Sequence, residues 1–209
     1  MFPEDGFLLS PINFFQIHGE CRKLKTRFPQ LAKVKGDEYL LSDTTSLTSE
    51  KAFAKLFMGW SLEGIELLAL VEAPATDVAR DSVELFFDTR DIKTSGFNTK
   101  FCHHFFFLRE SLEGQCAGEM TKFRTEDRHD FCDPHDLVLK SKKSSNGYTL
   151  EIFIPAHCLH GYDPAQFDRL GFTYRINRAH GKSQHFSVIT DEYQIEQQPS
   201  LWSSLKLIV

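Results

Sequence analysis

A short stretch with acidic residues on one strand face carries the first chemical signal in this sequence. In DSVELFFD, residues 81–88, apolar side chains occupy alternate positions, which is the pattern of a β-strand facing a core. The intervening positions place Glu84, Phe86 and Asp88 together on the opposite face. Carboxylates beside a flat apolar ring can accept hydrogen bonds from a ligand's hydroxyl groups and contact its apolar surface.

Other strand-like stretches extend this polar face. GYTLEIFIP and LGFTYRIN alternate in the same way, and KFCHHFFFL contributes one more candidate. If all the apolar positions face one core, the opposite face collects the predicted ligand-binding residues Glu84, Phe86, Asp88, His104, Glu151, Phe153, Arg175 and Asn177. Two interpretations stay open: the face binds a polyhydroxyl ligand, or Glu84, Glu151 and Arg175 form cross-strand ion pairs beneath the N-terminal segment.

A second signal is the histidine-rich stretch RHDFCDPHD, residues 128–136. It spaces His129, Cys132 and His135 three residues apart, with aspartates between them. Imidazole and thiolate suit zinc, whereas the carboxylates suit calcium. A fourth zinc ligand at a familiar spacing is missing nearby, so a polar loop is the favoured interpretation. We expect no cofactor, and the sequence leaves the question of a metal ion open.

Catalytic signatures are absent from the sequence. It contains no G-x-S-x-G, no phosphate-binding loop and no G-x-G-x-x-G. Glu84 and Glu151 could act as an acid–base pair only if they lay about 5 to 10 Å apart across a cleft. On a sheet face they are better placed to pair with Arg175. We therefore expect a protein without enzymatic activity.

The composition limits the classes of partner. The chain has 209 residues, 41% of them hydrophobic and 25% charged, with a net charge of −5. An acidic balance argues against nucleic acid as a partner and against binding to a membrane surface. Membrane-spanning runs of about 20 apolar residues are also absent.

The N-terminus and the cysteines predict where the protein works. The start, MFPEDGFLLSPINFF, has no basic region before its apolar residues and is interrupted by proline, unlike a signal peptide. The five cysteines are odd in number and form no C-x-x-C, which argues against a disulfide framework. Both observations predict a cytoplasmic protein.

The elements that position these residues are predicted to be strands. Twenty phenylalanines favour β-structure. Prolines interrupt residues 1–39, for which we expect an irregular extension, while residues 40–209 form one β-domain. We predict strands in DEYLLSD, EKAFAKLFMGW, IELLALVEA, DSVELFFD, KFCHHFFFL, the end of SLEGQCAGEMTKFRTED, LGFTYRIN, HFSVIT and LWSSLKLIV, and a hairpin with an Asn-Gly turn in DLVLKSKKSSNGYTLEIFIP. Strands at short intervals without helices predict an all-β, antiparallel β-sandwich.

Taken in order, several of these stretches resemble a known family. GWSLEGIELLALVE, DSVELFFDTRD, GYTLEIFIPAHCL, LGFTYRINR and LWSSLKLIV are similar to the carbohydrate-binding module family 9-like group, within the wider DOMON-like class of β-sandwiches. The resemblance covers about residues 40–209. It implies a sandwich that binds a sugar or, in relatives, a haem, and it assigns no binding residue.

We therefore expect a non-catalytic module that binds carbohydrate or a glycan-like ligand. One alternative is a haem-binding electron-transfer domain, in which Met58 or Met120 and a histidine would be the axial ligands. The other is a scaffold that binds a protein partner and no small ligand.

Overall fold

The computed structural model describes residues 17–34, 36–73, 81–188 and 193–209. Within these ranges it contains eleven strands, one short helix, α1 Thr45–Thr48, and several single-turn 3-10 helices. The strands are β1 His18–Lys23, β2 Ala54–Ser61, β3 Gly64–Glu72, β4 Ser82–Asp88, β5 Cys102–Leu112, β6 Gln115–Glu119, β7 Val138–Ser144, β8 Gly147–Pro155, β9 Arg169–Asn177, β10 Gln184–His185 and β11 Ser203–Ile208. Among the described helices, none combines the length and apolar character needed to cross a bilayer.

The strands form a single mixed sheet, in the order β6-β5-β4-β9-β11-β1-β2-β3-β8-β7, with β10 paired to β9. Strand β1 lies between β11 and β2 and runs parallel to both. The other named pairs are antiparallel. The prediction of an all-β fold is confirmed, but a purely antiparallel arrangement is wrong, because β1 inserts alongside two strands that run in its own direction.

The sheet curves around one hydrophobic core. Alternate residues of β4, β5 and β9 belong to the same buried cluster as alternate residues of β2, β3 and β8. The predicted core residues Phe87, Leu150, Ile152 and Phe172 are all fully buried, at 0% exposure. The strand phase read from the alternation is therefore confirmed for β4, β8 and β9.

The expected irregular extension needs a correction. Residues His18–Lys23 form β1, in the middle of the sheet, and so are part of the fold. Their sequence, HGECRK, lacks the apolar alternation by which the other strands were predicted. Prolines 3 and 11 lie outside the described residues. DEYLLSD is not a strand, since Leu40 makes only an isolated bridge to Phe57.

The predicted hairpin is confirmed, but its turn lies one residue before the predicted Asn-Gly pair. Strands β7 and β8 pair from Ser144 and Gly147 outward, so the turn holds Ser145 and Asn146. Gly147 has a φ of 158°, and a Cβ there would collide with the backbone oxygen of Val71 on β3. Glycine is therefore required where β8 begins between its two neighbours. HFSVIT contributes only His185 to β10, and residues 189 and 190 lie outside the described part of the chain.

Candidate functional site

The predicted ligand-binding residues lie on two separate outer faces of the sheet. Strands β4, β5 and β9 are neighbours, and we call their outward surface the first face. It carries Glu84, Phe86, Asp88, His104, Arg175 and Asn177. Strand β8 pairs with β3 and β7 in the other half of the sheet, and the outward surface of β3 and β8 is the second face. It carries Glu151 and Phe153.

The expectation that Glu151 and Phe153 join Glu84 is therefore wrong. All three side chains point away from the same core, as their phase predicted. Their strands, however, stand on opposite sides of that core, so the shared phase places them on opposite surfaces. The alternation of apolar residues predicts whether a side chain points toward the core or away from it. The order of the strands in the sheet determines which outward-pointing residues lie on the same surface.

Glu84 is the centre of a polar network on the first face. One carboxylate oxygen, Oε2, accepts hydrogen bonds from His104 Nε2 at 2.8 Å and Arg175 Nη2 at 2.5 Å. The other, Oε1, accepts from Asn177 Nδ2 at 2.7 Å. The Arg175 guanidinium also donates through Nη1 to Glu196 Oε1 at 2.8 Å. Four residues from three strands and one residue of a single-turn 3-10 helix therefore hold each other in fixed orientations.

The charges of this network favour its ionised state. Burial by itself would raise the pKa of Glu84, but the hydrogen bonds from His104 and Arg175 and the arginine's charge outweigh it and lower the pKa to about 2. Burial likewise disfavours the charge of Arg175, yet Glu84 and Glu196 raise its pKa above the ordinary value. Glu84 and Arg175 are therefore both charged at neutral pH.

The centre of the first face is covered. Phe86 is fully buried, stacks on His104 with ring centroids 4.1 Å apart, and contacts Trp202. Trp202 and Ile195 belong to the segment that precedes β11, and they form a small cluster with Phe86 and Cys102. The cover is thus C-terminal rather than N-terminal, and Phe86 has no surface left for a ligand.

Asp88 closes a turn. Its carboxylate accepts hydrogen bonds from the backbone amides of Arg90 at 3.0 Å and Ile92 at 2.7 Å. Burial raises the pKa of Asp88, and these two amide hydrogen bonds offset the effect only in part. The side chain therefore stabilises the loop after β4 and is committed to it.

The first face opens into a cleft at the ends of β9 and β10. The cleft has a volume of about 790 Å³ and includes two of the predicted residues, Arg175 and Asn177. Its other walls come from the segment between α1 and β2 and from the loop before β10. Its lining residues are Thr48, Ser49, Glu50, Lys51, Ala52, Phe53, Glu72, Arg175, Asn177, Arg178, Gly181, Lys182, Ser183 and His185.

The walls of this cleft are fixed by interactions between distant parts of the chain. His185 Nδ1 contacts Glu50 Oε1 at 2.6 Å, and Glu50 Oε2 accepts from the His185 amide at 2.9 Å. The Arg178 guanidinium lies 3.6 Å from the centre of the Phe53 ring. Ser183 Oγ donates to Asn177 Oδ1 at 2.8 Å. The cleft is therefore a preformed surface of hydrogen-bonding groups beside one flat cation–ring stack.

Sequence reasoning missed Glu50, Phe53, Arg178 and His185. No motif marks them, and Glu50 and His185 are 135 residues apart in the chain. Three of the four lie in segments next to strands, and the tertiary fold brings these segments together. The alternation of β9 was the one available signal, since it led to Arg175 and Asn177 and hence to the edge of the cleft.

The second face is covered by the N-terminal segment. Glu66 on β3 accepts hydrogen bonds from the backbone amides of Gln30 and Leu31 at 2.8 and 2.7 Å. Burial raises the pKa of Glu66 despite these amides. Glu151 pairs with Lys142 on the neighbouring strand.

Phe153 is half-buried and packs against Phe28, with ring centroids 5.5 Å apart. The contacts of the second face are therefore mainly structural.

The predicted zinc ligands do not come together. Cys132 forms a disulfide with Cys158, across a Cα–Cα distance of 4.9 Å, so its thiolate is not available to a metal. His135 is exposed in a single-turn helix. The disulfide also corrects the expectation drawn from the cysteine count, and removes one of the two observations that predicted a reducing compartment.

Of the predicted haem ligands, Met58 is buried among apolar residues of the main core and Met120 is at the surface.

Comparison with known proteins places the chain in a family. The family model described as carbohydrate family 9 binding domain-like matches residues 68–209. Among curated proteins, no sequence matches.

Two solved structures of a family 9 carbohydrate-binding module from Caldicellulosiruptor kristjanssonii, each 18% identical to this chain, share its fold. The complex with cellotriose has a TM-score of 0.58 and covers 92% of this chain and 94% of its own. The complex with glucose has a TM-score of 0.59 and covers 92% and 95%. Since the family model spans more than half of the sequence, the chain belongs to the carbohydrate family 9 binding domain-like family.

Proposed function

We propose that this domain binds carbohydrate without catalysing a reaction on it, and that the sugar lies in the cleft beside Arg175. The observation that carries the proposal is the cleft itself, in which polar groups are fixed by a buried ion network at the edge of a family 9-like sheet. Sugars present many hydroxyl groups in fixed directions, and a rigid array of donors and acceptors binds them with little loss of side-chain freedom.

Each wall of the cleft offers a different kind of contact. Arg175 and Asn177 form a floor held by Glu84. Arg178 is stacked on the buried Phe53 and presents its guanidinium as a flat side wall, which can donate hydrogen bonds to hydroxyl groups of a sugar that lies against it. Lys51 and Lys182 are exposed at the rim, where an ammonium group can donate to several hydroxyl groups.

The solved relatives support the chemical class of the ligand. The Caldicellulosiruptor module is described in complex with cellotriose and with glucose. We infer that glucose and short β-linked glucose oligomers are the first ligands to test. The cations at the cleft also favour sugars that carry a carboxylate, so a glucuronate oligomer is the second probe.

The experiment is a titration of the ¹⁵N-labelled chain with glucose, cellotriose and a glucuronate oligomer, followed by NMR. We expect shifts of the amide signals of residues 50–53, 175–178 and 181–185. Shifts confined to the surface around Phe28 and Phe153 would place the site on the second face. No shift with any probe at millimolar concentration would favour the scaffold interpretation.

A further inference from the structure

A second polar centre lies away from the cleft, where β5, β6 and the loop after β6 meet. His103, Glu119 and His129 place one ligand atom each within 4.8 Å of the others. His103 Nδ1 and His129 Nε2 lie 2.9 and 2.8 Å from the same atom, Glu119 Oε1. The side chains of His103 and Glu119 are fully buried, and that of His129 is 2% exposed. Two imidazoles and one carboxylate are thus concentrated in a site almost free of solvent.

The second nitrogen of His129 determines what can lie at the centre. Nδ1 is 2.6 Å from the carbonyl oxygen of Lys100, which can only accept, so Nδ1 carries a hydrogen. In the neutral imidazole, Nε2 then has a lone pair that points at the negative Glu119 oxygen 2.8 Å away. That arrangement is repulsive unless a cation lies between the two atoms. The cation is either a second proton on His129 or a metal ion.

We propose that His103, Glu119 and His129 bind one divalent transition-metal ion of the zinc type. Two imidazoles and a carboxylate are a donor set that suits zinc, and three protein ligands leave a fourth position for water. The two nitrogen–oxygen separations, 2.9 and 2.8 Å, are about 0.4 to 0.5 Å shorter than the roughly 3.3 Å expected between ligands of a tetrahedral zinc ion, so these ligands would move apart by that amount when the ion binds.

The surroundings also match a metal site. A metal-bound histidine commonly donates its other N–H to a backbone carbonyl, as His129 does to Lys100. The Glu119 carboxylate is oriented by Thr121 Oγ at 2.8 Å and by the amide of Cys132 at 3.0 Å. His129 also lines an open cleft with His157 and His160, which gives an ion a route to the site.

The ion would connect three parts of the chain. His103 belongs to β5, Glu119 to β6, and His129 to the loop that the disulfide joins to the segment after β8. The described part of this loop has little regular structure between residues 120 and 133. The metal and the disulfide would together stabilise this loop, which lies away from the cleft in which sugar is proposed to bind.

The test uses the tag-free chain, stripped with a chelator and then equilibrated with zinc chloride. We expect one zinc ion per chain by elemental analysis and a higher melting temperature. Cobalt(II) should give the absorption bands of a four-coordinate ion. His129→Gln should lose at least nine-tenths of the bound zinc. The control is His157→Gln, because His157 lines the same cleft but is 66% exposed and should leave the stoichiometry unchanged.

Two results would overturn the proposal. The first is zinc retained equally by His129→Gln and the wild type. The second comes from imidazole ¹⁵N NMR of the wild type, which avoids any variant that fails to fold. If both His129 nitrogens stay protonated when one equivalent of zinc is present, the cation at the centre is a proton.

Discussion

Glu84 on the first outer face and Glu66 on the second are both buried, and the two have opposite electrostatic surroundings. On the first face, Glu84 contacts Arg175 and His104, and its pKa falls to about 2. On the second face, Glu66 receives only backbone amides as hydrogen-bond donors, and burial raises its pKa. One carboxylate orients cationic side chains at the edge of a cleft, and the other attaches the N-terminal segment to the sheet.

The difference between Glu84 and Glu66 shows that residue type and strand phase do not determine the role of a buried carboxylate. Both glutamates alternate with core residues, and both are almost completely buried. What separates them is the covering element. The segment that supplies Trp202 and Glu196 leaves one end of the first face open, whereas residues 24–34 and 36–39 cover the second face.

The largest expected effect tests the core that both faces share. Phe87 is fully buried and contacts Phe105 and Phe172. Phe87→Ala should reduce the free energy of unfolding by about 3 to 5 kcal/mol, because it leaves a cavity as well as losing apolar contact. Urea denaturation measures this. A loss below about 1 kcal/mol would mean that β4 has the opposite phase, and the assignment of both faces would be wrong.

The next effect concerns Glu84. Its folded-state pKa lies below its ordinary value, so its ionised form stabilises the fold above pH 4.5, and this contribution is lost as the pH falls toward 2. Glu84→Gln should therefore cost roughly 3 kcal/mol at pH 7, at about 1.4 kcal/mol for each pKa unit. The difference in unfolding free energy between the wild type and Glu84→Gln should become smaller in acid. An equal difference in unfolding free energy at pH 7 and pH 3, measured by urea denaturation, would argue against the ion network.

Glu66 should show the opposite sign and a smaller effect. Its pKa is raised on folding, so its contribution is fully present below the ordinary carboxyl pKa and lost as the pH rises through the folded-state value. Relative to Glu66→Gln, the wild type should therefore lose stability between acid and neutral pH. Thermal melts of the two proteins across this range measure the sign. If the stability difference between wild type and Glu66→Gln changed with pH in the same direction as that for Glu84→Gln, the two faces would not differ in their electrostatics.

The smallest expected effect concerns Phe153. It is half-buried against Phe28, so Phe153→Ala should cost about 1 kcal/mol, the order of one aromatic contact. Binding of cellotriose should be unchanged, because Phe153 lies on the second face. Denaturation and a sugar titration on the same sample provide both numbers. Weaker cellotriose binding with unaltered stability would indicate that Phe153 contacts the sugar.

Much of the sheet could be predicted from the sequence because its signal is local. The alternation in β4, β8 and β9 indicates which side chains face the core, and the turn-forming residues before Gly147 indicate where β7 and β8 meet. Strand β1 escaped prediction because HGECRK shows no alternation and gains its place only by pairing with β11 and β2.

The candidate site could be predicted only in part, because most of its contacts connect residues far apart in sequence. Arg175 and Asn177 followed from the phase of β9, and their pairing with Glu84 spans more than 90 residues. Glu151 and Phe153 were assigned to the wrong surface because strand order is not encoded in alternation. The contact of Trp202 with Phe86 depends on the path of an irregular segment, for which the sequence carries no periodic signal.

The central claim is that sugar binds in the cleft at the end of the first face, and Arg178 tests it most directly. Arg178, which directly follows β9, lines the cleft and stacks on Phe53, whereas Arg169 is an exposed arginine at the opposite end of β9. Calorimetric titration with cellotriose should show Arg178→Ala binding about tenfold more weakly or worse, since a hydrogen bond to a charged group contributes about 1.5 to 3 kcal/mol. Arg169→Ala should bind like the wild type. Unchanged affinity in Arg178→Ala, or an equal loss in both variants, would show that sugar does not bind in this cleft.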